Sequence, residues 1–138
     1  MTDWTYQDKP ISEEQLEGYK SFVYKIVYKP TGKAYIGKKT LISTNRKKVK
    51  GRVNRKIVVK PSNWLKYWGS NEQLVDDIET YGKENFERYI LRFCKSKGEA
   101  SYYEAKYQFM EDVLLKPDLF YNQHIMVHVH RGHLNGVA

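Results

Sequence analysis

The chain has 138 residues, enough for one domain with a sizeable core, and its 24 Lys and Arg against 16 Asp and Glu give a net charge of +8. Its one cysteine, Cys94, excludes an intramolecular disulfide and predicts a reducing, cytoplasmic setting. No apolar run approaches the ~20 residues of a membrane span, and no signal peptide is recognisable, so we expect an intracellular protein without a membrane partner.

The positive charge is concentrated in residues 45–60, NRKKVKGRVNRKIVVK. This segment contains eight Lys or Arg and no acid, and without it the chain carries 16 basic and 16 acidic residues. A solvated surface loop is one interpretation, and a membrane surface is disfavoured because no amphipathic helix accompanies the charges. Clustered charge within a folded domain favours a polyanion. The predicted nucleic-acid contacts are Lys39, Lys47, Lys48, Lys50, Arg52, Arg55, Lys56 and Lys60.

The first predicted elements are a short helix and a hairpin. Residues 11–20 (ISEEQLEGYK) begin with a capping-box pair, Ser12 and Gln15. The hairpin follows over residues 22–39, where two β-type runs flank a Pro-Thr-Gly-Lys turn. Its arms contribute Tyr24 and Tyr35, which pairing would place side by side on one face. Lys38 and Lys39 come next, within reach of an anion held there.

The second half of the chain predicts alternating elements of one α/β domain spanning residues 1–138. A brief strand is expected at 57–59, followed by a helix from Ser70 to Tyr81 that begins with a Ser70–Gln73 capping box and ends at Gly82. A strand within residues 82–94 and a helix from Ser96 to about Leu114 come next, and a His-bearing tail covers 124–138. Helical spacing predicts that two sets of side chains face the core: Leu74, Ile78 and Tyr81, and then Tyr103, Tyr107, Met110 and Leu114.

The hairpin resembles the one that names the GIY-YIG nuclease family. Tyr35-Ile36-Gly37 matches the second tripeptide literally, and Val23-Tyr24-Lys25 stands near the first, with Phe22 in place of the usual glycine. The element order is similar over residues 21–123, and YGKENFERYIL is similar to the middle of many members. The resemblance implies a small central antiparallel or mixed three-stranded sheet flanked by helices, with residues 45–60 as a basic insertion.

The resemblance also implies a metal ligand and its support. Glu104 falls where the family places a metal-binding glutamate, and Asn122, in a Tyr-Asn pair, falls where an asparagine supports the site. A carboxylate suits Mg²⁺, with Mn²⁺ as the alternative, because hard cations take oxygen ligands and often only one or two protein carboxylates. Glu99 and Glu111 on the same helix are the competing candidates.

The other implied roles concern the phosphate chemistry. The resemblance assigns water activation to Tyr24 and a supporting hydrogen bond to Tyr35. A free phenol titrates near pH ~10, so we expect Lys38, Lys39 or the metal to favour the phenolate. The family also uses an arginine after the hairpin, usually on a helix. Arg46, eleven residues past Tyr35, is the first candidate, with Arg52 and Arg55 as alternatives.

Two sets of side chains admit more than one interpretation. Trp64 and Trp68 flank Lys66 and Tyr67, and we expect the tryptophans to pack under the next helix rather than stack on bases. His124, His128, His130 and His133 lack the cysteine partners of a structural zinc site, which favours phosphate or base contacts. The first three share parity, so a strand here could carry them on one face.

These features predict a divalent-metal-dependent endonuclease acting on double-stranded DNA, similar to compact restriction enzymes or phage-type homing enzymes. A non-catalytic nucleic-acid-binding module on the same fold is the alternative, and an RNA-directed protein is a third. One site cuts one strand per visit, so cutting both strands would require a homodimer or two sequential visits.

Overall fold

A computed structural model describes residues 4–47 and 56–137, with the backbone alone for 44–47 and 56–59. The strands are β1 Trp4–Tyr6, β2 Lys9–Pro10, β3 Ser21–Tyr28, β4 Ala34–Thr40, β5 Ile42–Lys47, β6 Lys56–Pro61 and β7 Phe86–Cys94. The α-helices are α1 Glu13–Leu16, α2 Glu72–Tyr81 and α3 Lys97–Met110, and short 3-10 turns occupy Trp64–Lys66, Lys83–Asn85 and Arg131–Leu134.

The central sheet has the order β2-β1-β7-β3-β4. Its core is the predicted antiparallel trio β7-β3-β4, and the prediction of three strands omitted β1 and β2, which extend the sheet beyond β7. These two strands are too short to show a period-2 pattern, and β1 is held by parallel pairing to a distant strand. β4 lies at the opposite edge, and a register shift between Val23 and Tyr24 bends the β3–β7 pair beside it.

The two faces of the sheet bury separate apolar clusters because β-strand side chains alternate. On one face Phe22, Tyr24 and Ile26 of β3 pack with side chains of α2 and of the Trp64 turn. On the other face Val23 and Ile36 pack with α3. The edge strand β4 therefore runs between α3 and the segment that precedes α2, and the side chains discussed below gather along it.

The basic segment begins and ends in a separate hairpin. β5 and β6 pair antiparallel, with Arg46 opposite Ile57 and Lys47 opposite Lys56. The predicted strand at 57–59 is confirmed and is longer than expected. Arg46 lies on a strand and not on a helix, where the family usually carries its arginine, because the alternating and β-branched residues here favour pairing in a two-stranded ribbon.

Several helix boundaries differ from the sequence expectation. α1 covers four residues rather than ten, because the backbone at Glu17 is already extended and Gly18 adopts a φ of +82°. α2 is capped by Asn71, whose side chain accepts a hydrogen bond from the Leu74 N–H at 3.0 Å, and not by Ser70. α3 begins after its Ser96 cap as predicted and ends at Met110, four residues before the predicted Leu114.

The predicted core faces are correct near each helix start and wrong near each end. Leu74, Ile78 and Tyr103 are buried. Tyr81, Met110 and Leu114 are exposed: Tyr81 contacts the sheet only through stacking on Tyr28 of β3 among the ring contacts of the described residues, Met110 is the last residue of α3, and Leu114 lies beyond that helix. None of the described helices combines the length and apolar character required to cross a bilayer.

Candidate active site

The β3–β4 pairing brings the two predicted tyrosines together. Tyr24 lies opposite Gly37 and Tyr35 opposite Ile26, so both phenols project from the same face. Their ring centroids are 6.2 Å apart, which confirms the predicted juxtaposition. Their exposure differs: Tyr24 is fully buried, whereas Tyr35 is partly exposed at the sheet edge.

Gly37 makes this arrangement possible. A Cβ at position 37 would lie 2.5 Å from the Tyr24 hydroxyl oxygen, 2.7 Å from its Cζ and 2.9 Å from Cε2 of Tyr35. Such distances are shorter than any ordinary carbon contact, so the two rings can lie across β4 only where the strand has no side chain. The glycine of the Tyr-Ile-Gly tripeptide is therefore a steric requirement of the phenol pair.

The Tyr24 hydroxyl is sealed from solvent. It is buried and has no fully formed hydrogen bond within residues 4–47 and 56–137. Burial, followed by the neighbouring Tyr67 and Tyr35 phenols, raises the pKa of Tyr24 well above its ordinary value. This shift disfavours the Tyr24 phenolate that we expected beside Lys38 and Lys39, and the activation of water by Tyr24 stays a prediction.

Tyr35 and Glu104 line one pocket of about 170 Å³ at the edge of the sheet. The complete lining is Tyr35, Ser70, Asn71, Glu104, Gln108, Asn122, Gln123, His124 and Met126; we call it the Glu104 pocket. Burial raises the pKa of Glu104, and the Lys38 charge and backbone N–H partly offset that shift. The pKa of Tyr35 is raised by burial and then by the Glu104 charge, against a hydrogen bond with Ser70.

The competing glutamates on α3 lie elsewhere. Glu99 is buried against its own helix start, where its carboxylate accepts a hydrogen bond from the Lys95 N–H at 3.0 Å and lies 3.9 Å from Nε of Arg92. Glu111 is exposed at the helix end. Of the three, Glu104 alone lines the pocket that contains Tyr35 and Asn122.

Asn122 fixes the backbone of the Tyr-Ile-Gly tripeptide. Its Oδ1 accepts a hydrogen bond from the Ile36 N–H at 3.1 Å, and its Nδ2 donates to the Ile36 carbonyl at 2.9 Å. Gln108 of α3 donates to the same carbonyl at 3.0 Å. β4 is an edge strand, so these two amides occupy the place of a neighbouring strand and hold Tyr35 and Gly37 on either side of Ile36.

A second depression, the basic groove, adjoins this site. Its volume is about 320 Å³, and its lining is Ser21, Lys38, Lys39, Thr40, Tyr67, Lys97 and Ala100. The Lys39 ammonium lies 4.3 Å from the centroid of the Tyr67 ring, and the Lys38 ammonium donates a hydrogen bond to Ser101 Oγ at 2.5 Å. Lys38 lines the groove and also interacts with Glu104 through its charge and its backbone N–H, so this lysine connects the two sites.

The remaining predicted contacts lie in the basic segment. Arg46, Lys47 and Lys56 are placed by their backbones in the β5–β6 hairpin, and Lys60 is exposed on β6. Lys48, Lys50, Arg52 and Arg55 lie outside the described residues. The choice among Arg46, Arg52 and Arg55 as the catalytic arginine stays a prediction.

The tryptophans pack, as expected. Trp64 is buried and its carbonyl accepts a hydrogen bond from Trp4 Nε1 at 2.9 Å. Trp68 covers the buried Arg88, whose guanidinium lies 4.1 Å from its ring centroid. Arg88 also donates to the carbonyls of Leu65 and Tyr67, at 3.1 and 2.8 Å, and so fixes the segment that carries Tyr67.

Three of the four histidines lie in two places, and the fourth, His128, is exposed. His124 lines the Glu104 pocket, whereas His130 and His133 stack at 3.7 Å near the start of α3, where His133 covers Gly98. Residues 122–130 form no strand, so the first three histidines do not share a strand face. The chain instead leaves the sheet after Tyr121, whose N–H donates to the Ala34 carbonyl at 2.8 Å, while the Ala34 N–H donates to the Leu119 carbonyl at 2.9 Å.

Sequence reasoning missed four residues that build the site: Gln108, Tyr67, Lys97 and Arg88. A local signal existed for Gln108, because it lies one helical turn from Glu104 and so shares its face. No local signal identifies the other three. Tyr67 and Lys97 meet across the basic groove from segments thirty residues apart, and Arg88 is a strand residue buried by distant tryptophans.

The Glu104 pocket suits a hydrated divalent cation. It offers a carboxylate together with the buried Gln108 Oε1, which has no hydrogen-bond partner in the described part of the chain. No group of three or more His, Cys, Asp or Glu side chains within residues 4–47 and 56–137 could hold a metal ion. A lone carboxylate with uncharged oxygens is compatible with Mg²⁺, which keeps several of its waters when bound.

Comparison with known proteins agrees with this geometry. The family model described as "Putative endonuclease segE, GIY-YIG domain" matches residues 4–125, which include β1, both tyrosines, Glu104 and Asn122. No curated protein and no solved structure matches the chain. The match covers most of the 138 residues, and the mixed sheet flanked by helices is consistent with that fold. The chain belongs to the GIY-YIG nuclease family.

Proposed function

We propose that the protein is a divalent-metal-dependent endonuclease that hydrolyses phosphodiester bonds of double-stranded DNA. The observation that carries the proposal is the convergence of Tyr35, Glu104 and Asn122 on one pocket, with a lysine-lined groove beside it. Hydrolysis requires an activated water, a stabilised pentavalent phosphate and a protonated leaving group. The family membership supports the nuclease class.

Glu104 is the residue proposed to hold the metal, Mg²⁺ or Mn²⁺. A cation held there would supply Lewis-acid stabilisation of the phosphate charge and would lower the pKa of a coordinated water. Glu104 must be ionised to serve as a ligand, and Lys38 favours that form because its charge lowers the pKa of the carboxyl. Lys38 would also attract a phosphate oxygen, so its positive charge would interact with both the Glu104 carboxylate and the substrate.

The two tyrosines are proposed to act at different distances from the substrate. Tyr35 lines the pocket and can donate or accept a hydrogen bond at the reacting phosphate or its water. Tyr24 lies behind it, buried and uncharged, where it fixes the position of Tyr35 across Gly37. This division revises the roles implied by family resemblance, in which Tyr24 activates water directly.

The DNA backbone is proposed to follow the basic groove. Lys38, Lys39 and Lys97 line a depression of about 320 Å³, which is large enough to admit a backbone phosphate, and the β5–β6 hairpin carries the ends of the basic segment. Removing one lysine that binds a phosphate should reduce the slope of log affinity against log salt by about 1. Lys39→Ala and Lys97→Ala should each flatten that slope, whereas a control, Lys29→Ala, should not, since Lys29 lies at the β3–β4 turn beside Glu87.

The test of the function is cleavage of supercoiled plasmid in Mg²⁺, Mn²⁺ or EDTA by the wild type, Glu104→Gln and Glu111→Gln. Metal-dependent nicking that is abolished in Glu104→Gln and retained in the exposed control Glu111→Gln supports the proposal. Salt-sensitive binding without cleavage by the wild type would favour the non-catalytic module instead. Cleavage of RNA in place of DNA would favour the RNA-directed alternative.

Two finer properties would be measured in the same assay. A long-lived nicked intermediate indicates sequential visits by single copies, and direct linearisation indicates two sites acting together, as in a homodimer. Mapping the ends distinguishes restriction-type cutting at a short frequent sequence from homing-type cutting at a long rare one.

A further inference from the structure

We propose that Gln108 is a metal-positioning residue whose Oε1 accepts a hydrogen bond from a water in the hydration shell of the cation at Glu104. The proposal rests on the proposed function, because it requires that Glu104 holds the metal. It adds a second protein contact to the cation and assigns a purpose to a buried amide that neither the sequence motifs nor the family resemblance marks.

The orientation of the Gln108 amide is fixed. The side chain is 4% exposed, and its Nε2 donates to the Ile36 carbonyl at 3.0 Å. Turning the amide over would direct Oε1 at that carbonyl oxygen, and two acceptors repel each other. Asn122 bonds to both the N–H and the carbonyl of Ile36, so the backbone of this residue cannot rotate to accommodate the change.

Oε1 is therefore the free acceptor of this amide. It is buried and has no hydrogen-bond partner within residues 4–47 and 56–137. Leaving such an acceptor unsatisfied costs on the order of 1–3 kcal/mol, and buried acceptors in proteins are nearly always satisfied by protein groups, water or ions. An apolar side chain of similar size would avoid that cost, so a glutamine here points to a donor that the protein itself does not supply.

The donor would be located in the Glu104 pocket. Gln108 follows Glu104 by four residues on α3, so the two side chains lie one above the other on one helix face, and both line the pocket. The volume of about 170 Å³ accommodates a cation with several waters, since each water occupies roughly 30 Å³.

The chemistry of the acceptor selects the ligand. A carbonyl oxygen attracts the protons of a coordinated water and repels the oxygens of a phosphate, so Oε1 suits the cation side of the site and not the DNA side. Mg²⁺ dehydrates reluctantly and keeps waters that need acceptors. Outer contacts of this kind orient the inner ligands, and their loss typically costs 10–100-fold in metal affinity.

The experiment measures Mn²⁺ affinity without DNA, by the decrease of the free-ion electron paramagnetic resonance signal on titration. Gln108→Met has a similar volume and no acceptor, and it should weaken Mn²⁺ binding by about 10-fold or more. Gln108→Glu also loses the donor to the Ile36 carbonyl, but it keeps an acceptor and adds a charge, so it should bind Mn²⁺ more tightly than the wild type. Unfolding midpoints in EDTA show whether each variant is folded.

The outcomes separate the two proposals. Weaker Mn²⁺ binding by Gln108→Met together with tighter Mn²⁺ binding by Gln108→Glu supports a role of Gln108 at the metal. Unchanged affinity in either folded variant would overturn it and leave Gln108 as a clamp of Ile36 alone. If Glu104→Gln binds Mn²⁺ as the wild type does, the metal assignment in the proposed function fails first, whatever the Gln108 variants show.

Discussion

Gly37→Ala tests whether the positions of Tyr24 and Tyr35 depend on the absence of a side chain at residue 37. The new Cβ would meet the Tyr24 hydroxyl at 2.5 Å and Cε2 of Tyr35 at 2.9 Å. Tyr24 cannot retreat, because its ring is enclosed by Trp4 at 5.5 Å and Tyr67 at 5.9 Å between ring centroids. Either a ring or the β4 backbone must move.

Overpacking of this kind costs about 1–3 kcal/mol, which for a domain of this size lowers Tm by roughly 3–15 °C. We expect cleavage to fall by more than the fraction unfolded explains, because Tyr35 and Glu104 would no longer face each other across the pocket. Denaturant unfolding and plasmid nicking at a temperature where both proteins are folded measure the two effects separately.

Two further variants sharpen the test. In Gly37→Ala combined with Tyr24→Phe, the oxygen nearest the new Cβ is absent, so on the order of 1 kcal/mol should be regained relative to the sum of the single changes. Gly98→Ala is the control, because its Cβ would also make a 2.6 Å contact, but with the His133 side chain of the tail. Wild-type stability and activity in Gly37→Ala would refute the argument that the phenols require this glycine.

Three other changes have expected outcomes. Arg88→Met removes the donor to the Leu65 and Tyr67 carbonyls and should lower the free energy of unfolding by about 2–4 kcal/mol. Arg88→Lys should restore only part of that loss. Urea titration measures both variants, and an unchanged unfolding midpoint in Arg88→Met would contradict the anchoring role. Burial raises the pKa of the Cys94 thiol to about 12, so a disulfide-exchange reagent at pH 8 should react only as the protein unfolds, and rapid reaction in native buffer would be inconsistent with that burial. Burial also raises the pKa of Glu104, so the folded state holds this proton more tightly than the unfolded chain, and stability should fall as pH rises from the unfolded pKa through the folded one. Glu104→Gln in EDTA at pH 7 should therefore unfold at a higher temperature than the wild type, and a lower midpoint would count against this electrostatic cost.

The sequence alone determined the parts of the site that depend on neighbouring residues. The hairpin, its turn and the two tyrosines follow from local β-propensity and turn chemistry, and Tyr35-Ile36-Gly37 is contiguous. The same holds for the helix that carries Glu104, whose Ser96 cap was predicted correctly. Helix ends and the short strands were predicted poorly, because their boundaries are set by distant packing and not by propensity.

Only the tertiary structure decided what each of these residues can do. It buries Tyr24 and leaves Tyr35 at the edge, it makes Asn122 a backbone clamp, and it brings Lys97 across to Lys39. Exposure, pKa and hydrogen-bond partners depend on groups tens of residues away in the chain, as the hydrogen bonds between Asn122 and Ile36 illustrate. A motif specifies which side chains are present, whereas the free energy of charging or bonding them is set by the neighbours that the fold supplies.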